Sequence, residues 1–239
     1  MLRIMVTKSV SIIMKTPRHN QVSAVSALKP TRSLPDDYVL IRNLDLSQNL
    51  GIMVLLSLAS LVMFVVSGFF FQFLARLIHP SILTDVTISF SGSNSGSFFN
   101  FLLFLFLVVV VMIILHEGIH GLFFWLFTGD RPKFGFKGSY AYAAAPSWYL
   151  PKNAYLMIAL SPLVILSGLG LAALMIVPTA WIPAIILFIT LNASGAVGDI
   201  YVTGWLLKHS EDLLIQDFGD RMHVYTQGGF NEDPLSKHV

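Results

Sequence analysis

Four apolar stretches, each more than 20 residues long, constrain this chain more than anything else in it. They run from about Gly51 to Ala75, Phe98 to Phe127, Ala154 to Val177 and Trp181 to Leu207. At 1.5 Å per helical residue each can cross the hydrocarbon core of a bilayer, some with tilt. Inside lipid a single segment satisfies its own backbone only as a helix, so the expected fold is an all-α polytopic membrane protein with about four transmembrane helices. Only Pro178, Thr179 and Ala180 separate the last two spans, which makes that pair a helical hairpin. The composition agrees: Lys, Arg, Asp and Glu make up 12% of 239 residues, about half the usual share. A formal net charge of +2 excludes a basic nucleic-acid-binding domain. The absence of cysteine excludes a disulfide scaffold and any thiolate zinc site, so a metal here must rest on His, Asp or Glu.

The polar remainder divides the chain into an N-terminal segment (1–49), a four-span membrane domain (50–208) and a polar tail (209–239). Residues 1–49 read as irregular, broken by Pro17, Pro30 and Pro35, and the tail reads as hydrophilic. Fourteen of the fifteen Lys and Arg residues fall in the N-terminal segment, in loop 128–153, or at Lys208 and beyond, and only Arg76 falls on the other side. The positive-inside rule therefore expects a multi-pass membrane protein with both termini in the cytoplasm. The six basic residues and no acid among the first 35 fit a basic arm near anionic lipid, or a transit peptide.

The ionisable residues well inside the four spans form a short set: His116, Glu117 and His120 in the second, and Asp199 in the fourth. Such groups cost on the order of 2.5–3.5 kcal/mol at a helix centre even on the lenient insertion scale, which marks them as functional. His116-Glu117-Gly118-Ile119-His120 is an H-E-x-x-H pattern. On a helix its two imidazoles share one face and can hold one ion, while the Glu stands near enough to serve as base toward a metal-activated water. Asp199 is eight residues before the end of its span and His120 is seven before the end of its own. Both then lie roughly 10–12 Å from the cytoplasmic face, a suitable height for Asp199 to be the third ligand. Two histidines, one carboxylate and an open position suit catalytic zinc; they also suit non-haem iron, and the H-E-x-x-H spacing favours zinc. Gly118, Gly121, Gly195, Ala196 and Gly198 flank the ligands, as close helix approach would require. Asn192, seven residues before Asp199, shares its face and fits substrate binding, ligand orientation or a packing hydrogen bond.

Loop 128–153 carries Phe134-Gly-Phe136-Lys-Gly-Ser-Tyr140-Ala-Tyr142, where large and small residues alternate around a Lys-Gly-Ser turn. This is a short hairpin signal between spans two and three. Its edge, with Tyr140 and Tyr142, could pair with an extended substrate segment, or the loop could be an interfacial aromatic belt. Asp217 and Asp220, in the tail, read as surface charge.

The H-E-G-I-H-G run at 116–121, the Asn192-Ala-Ser-Gly-Ala-Val-Gly-Asp199 run, Leu34-Pro35 before the first span and Asp217-Phe-Gly-Asp220 after the last resemble the putative zincin peptidase family of bacterial membrane proteins. In outline the chain is also similar to the site-2 protease clan of intramembrane metalloproteases. The resemblance spans roughly residues 34–225. It implies Zn2+ on His116, His120 and Asp199, with Glu117 as general base. The clan usually places its Asp in a Pro-rich segment and follows it with Gly, whereas here Gly198 precedes Asp199 and Ile200 follows.

The function expected is a zinc-dependent intramembrane endopeptidase acting on membrane-protein or peptide substrates, in a bacterial cytoplasmic membrane. Two alternatives stand beside it: a non-catalytic zinc-binding membrane scaffold, and a divalent-metal transporter. The outer halves of the spans lack the ionisable residues a transport path would use.

Overall fold

The structure is a computed structural model, and it describes residues 28–45, 49–80, 95–138, 140–209 and 212–228. Within them three helices are long and apolar enough to cross a membrane: α1 (Leu50–Ile78), α2 (Ser95–Thr128) and α3 (Lys152–Leu174). A fourth crossing exists when α4 (Ile182–Gly195) and α5 (Val197–Leu207) are counted together. They meet at Ala196 with a bend of 42°. The apolar faces that look outward, including Leu58, Phe69, Leu107 and Leu169, mark a multi-pass membrane protein.

Local chemistry sets the helix limits. Asn49 caps α1 by accepting from the Ile52 N–H at 3.1 Å. Pro183, in the first turn of α4, stands where its missing N–H costs nothing. Pro162 is different, because it lies inside α3 and cannot donate to the carbonyl of Ile158. Helices α1 and α4 pack where Gly68 faces Thr190 and where the Ser60 hydroxyl donates to the Ser194 carbonyl at 2.8 Å. Helices α3 and α4 meet at Gly170, where a Cβ would lie 2.1 Å from Cγ2 of Ile189.

The chain is mostly but not wholly helical, which corrects the all-α expectation. Strands β1 (Tyr38–Asp45), β4 (Leu150–Pro151), β5 (Leu213–Asp217) and β6 (Arg221–Gln227) form an antiparallel sheet in the order β1-β6-β5-β4. Its strands come from the N-terminal segment, the central loop and the tail. Leu213, Leu214 and Ile215 are buried in succession, so β5 is covered on both faces. This sheet packs on the ends of α2, α3 and α5 through Phe124, Ile158, Leu206, Ile215 and Val224. Burial of each such side chain is worth about 1.5–3 kcal/mol. The hairpin read from sequence is present as β2 (Lys133–Phe136) and β3 (Ala141–Ala144), at the same end of the bundle.

Candidate metal centre

His116 and His120 lie on successive turns of α2 with ring centroids 4.9 Å apart, and both are buried. The break at Ala196 puts Asp199 in the first turn of α5, where the positive end of the helix dipole favours a carboxylate. Its Oδ2 stands 3.3 Å from Nε2 of His116 and 3.5 Å from Nε2 of His120. One ligand atom from each of the three residues lies within 4.8 Å of the other two.

The other nitrogen of each ring is committed. Nδ1 of His116 donates to Oδ1 of Asn192 at 3.0 Å, and Nδ1 of His120 donates to the carbonyl of Ile158 at 2.9 Å. Both acceptors lack a proton to give, so each ring carries its hydrogen on Nδ1 and keeps a lone pair on Nε2. The three lone-pair donors therefore converge. Zinc with bonds near 2.0–2.1 Å in a tetrahedron sets its ligands about 3.3 Å apart, and the two histidine–carboxylate separations match that spacing. The donor set fits zinc, and Asn192 and Ile158 are the outer partners that such histidines require.

Sequence signals led to all four ionisable residues, and the structure brings all four to one cavity of about 210 Å³. Glu117 is half-buried there, and the backbone amide of Ala143 on β3 faces its carboxylate. Asn192 is wholly buried, with Nδ2 donating to the Pro162 carbonyl at 3.2 Å and to the Ser167 hydroxyl at 3.3 Å. It stands behind His116, away from the space a substrate would fill. Tyr142 lines the cavity. Tyr140 is not among the lining residues, and its hydroxyl is buried without a hydrogen-bond partner. Of the flanking small residues, Gly118, Gly195 and Gly198 have no neighbour within 4 Å of a built Cβ, so close helix approach does not explain them. Gly195 and Gly198 instead keep the cavity wall bare beside Asp199.

Asp217 overturns the surface-charge reading. It is 9% exposed and lines the same cavity, accepting from the Tyr155 hydroxyl and the Gly219 N–H, each at 2.6 Å. Burial pushes its carboxyl up to about 6, while the two hydrogen bonds pull the other way. Asp220 is only partly exposed and forms an ion pair with Lys137 at the hairpin tip, which holds its carboxyl below the usual range. The sequence signal that could have found Asp217 is its place at the end of the apolar run Leu213-Leu214-Ile215.

Fold and site together define a helical membrane protein with a His-His-Asp cluster able to hold a metal beside the Glu117 carboxylate. Residues 109–214 match the model of a family described as putative zincin peptidase, the family that the motifs resemble, and that description points to a metalloprotease. The matched stretch carries His116, Glu117, His120, Asn192 and Asp199. No curated protein and no solved structure matches the chain.

Proposed function

We propose that this chain is a membrane-embedded zinc metalloprotease that hydrolyses peptide bonds of membrane proteins. The observation that carries this reading is the convergence of Nε2 of His116, Nε2 of His120 and Oδ2 of Asp199 in a cavity that also holds Glu117. His116, His120 and Asp199 would hold the ion. When bound, zinc supplies Lewis acidity, which polarises a carbonyl and makes water easier to deprotonate. Glu117 takes one proton from the water as its oxygen bonds to the scissile carbonyl carbon. It returns that proton to the amine nitrogen as the C–N bond breaks. Asn192 and the Ile158 carbonyl keep both rings in the tautomer that leaves Nε2 free.

Substrate would enter along β3. The Lys137 N–H bonds to the Tyr140 carbonyl, and Gly135 faces Tyr142 in register. Alternation then turns the backbone groups of Ala141 and Ala143 away from β2 and toward the cavity. An extended segment can pair there, and a substrate helix must unwind to do so. Tyr142 belongs to this wall, with Tyr140 behind it. The distribution of Lys and Arg supports a cytoplasmic position for this end of the bundle and for both termini, and the family resemblance supports a bacterial membrane.

Bound zinc and cleavage of co-expressed single-span proteins test this for the wild type and Glu117→Gln. The variant should keep zinc and lose cleavage. Equal cleavage by both, or a wild type without metal, rules the reading out.

A further inference from the structure

Asp217 sits at the end of β5, outside the membrane helices, yet its carboxylate reaches into the cavity. Its two oxygens serve two different parts of the fold. Oδ2 takes the hydroxyl of Tyr155, which lies on α3 one turn before Ile158, the residue whose carbonyl holds His120. Oδ1 takes the Gly219 N–H and so closes the turn between β5 and β6. Both bonds, at 2.6 Å, have the length of charge-assisted ones or shorter.

The turn is built to receive a ring. Gly219 has φ +92, a conformation that side chains rarely adopt, and a Cβ there would fall 2.0 Å from Cδ2 of Tyr142. The other end of the same ring covers Gly135 on β2, where a Cβ would fall 2.3 Å from Cζ. Tyr142 is thus seated between the backbone of its own hairpin and the turn of the tail. Lys137 and Asp220 tie the same two parts together at the rim. The residue after Tyr142 is Ala143, whose backbone amide faces Glu117.

We propose that Asp217 is a positioning residue for this site: by holding Tyr155 and the Gly219 turn at once, it seats Tyr142 and sets where the free edge of β3 stands relative to Glu117. The inference rests on the reading of that edge as the substrate cradle. Asparagine in place of Asp217 has one acceptor oxygen and cannot serve both donors. Phenylalanine in place of Tyr155 removes one donor and leaves the ring packing intact.

The chain has no cysteine, so a single reporter thiol is clean. Ala141→Cys, on the cavity side of β3, is combined with Asp217→Asn or with Tyr155→Phe in the full-length, zinc-loaded protein. A small water-soluble thiol reagent should label the reporter about tenfold faster in both combinations than with Ala141→Cys alone, the effect expected from one charge-assisted hydrogen bond. Zinc content should match the parent. With the native residue at 141, Asp217→Asn should raise KM for a peptide substrate by about tenfold and move kcat less, because a displaced edge binds substrate poorly while the metal ligands stay in place. Labelling within twofold of the parent in both combinations overturns the proposal. A wild type that cleaves nothing counts against the peptidase reading instead, and the labelling rates still decide the role of Asp217.

Discussion

The Nδ1–H of His120 donates to the carbonyl of Ile158 at 2.9 Å, and that carbonyl, which also accepts from the Ser161 hydroxyl at 2.8 Å, has no helical N–H partner because the residue four positions on is Pro162. A helical residue with an N–H at 162 would bond to it. Proline has none, so the helix gives up one internal bond and a buried histidine gains a fixed acceptor. The carbonyl of Pro162 in turn accepts from Nδ2 of Asn192, which holds His116. One proline thus stands behind both rings.

Pro162→Ala should therefore move two measurements in opposite directions. Restoring the N–H should stabilise α3, by up to about 3 kcal/mol if the helix straightens fully. The same N–H competes for the Ile158 carbonyl, so zinc affinity should fall about tenfold, the lower end for loss of an outer partner. Thermal unfolding with chelator present reads the first, and competition with a chromophoric chelator reads the second. Unchanged zinc affinity would remove Pro162 from the account.

Asn192 separates orientation from ligation. Asn192→Ala leaves the His116 Nδ1–H without a partner and takes the side-chain donor from the Pro162 carbonyl, in a buried place. Zinc affinity should drop about 10- to 100-fold and stability by about 1–3 kcal/mol. Asn192→Asp still accepts from His116 and should keep most of the zinc affinity while losing stability against the Pro162 carbonyl. Asp199→Ala removes a ligand atom and should abolish most occupancy with a smaller change in stability of the zinc-free protein. Metal analysis after dialysis orders the three, and full occupancy in Asp199→Ala would strike it from the ligand set.

Two glycines on one helix should answer the same substitution with opposite signs. Gly168 faces open space, and Gly168→Ala should be neutral or stabilising by up to about 1 kcal/mol from helix propensity. Gly170 presses on Ile189, which is fully buried and has nowhere to turn. Gly170→Ala should cost about 1–3 kcal/mol through overpacking between α3 and α4. Unfolding in detergent with zinc held constant compares them, and equal midpoints would mean that α3 and α4 do not meet at this point.

The residues that lipid penalises were the legible ones. His116, Glu117, His120 and Asp199 stood out because an apolar span gives them no background, and the i, i+4 period alone placed two imidazoles on one face. The hairpin at 133–144 was legible from its alternation and its turn. The break at Ala196 was not, since Gly195 and Gly198 in an apolar run read equally well as packing residues in a straight helix. The sheet was hidden for another reason. β1 is separated from its partner β6 by the whole membrane domain, and it exposes Val39, Leu40 and Ile41, so its own window showed no buried face; the short apolar run of β5 had no visible partner without it. Asp217 looked like surface charge because its partners Tyr155 and Gly219 become neighbours only when the tail folds back onto α3.

The raised carboxyl of Asp217 gives stability a pH dependence whose sign differs from that of a salt-bridged carboxylate. Burial holds its proton to about 6 in the folded chain, against 3.8 for the ordinary group. Between those values the folded state binds more proton than the unfolded one, so this residue lowers stability as pH rises. Its cost is absent below the unfolded value, grows as pH climbs from there toward 6, and is complete above it. About two units at 1.36 kcal/mol each put the full effect on the order of 3 kcal/mol. Asp217→Asn cannot titrate, and its lost hydrogen bond shifts stability by an amount that does not depend on pH. The wild type minus Asp217→Asn difference in unfolding free energy should therefore decline by up to about 3 kcal/mol from pH 4 to pH 7, then level off. Denaturant unfolding of the metal-free proteins in detergent measures that difference without interference from ligand protonation. A flat difference would mean that burial does not hold a proton on Asp217, and one that rises with pH would mean that its hydrogen bonds outweigh burial and favour the ionised form.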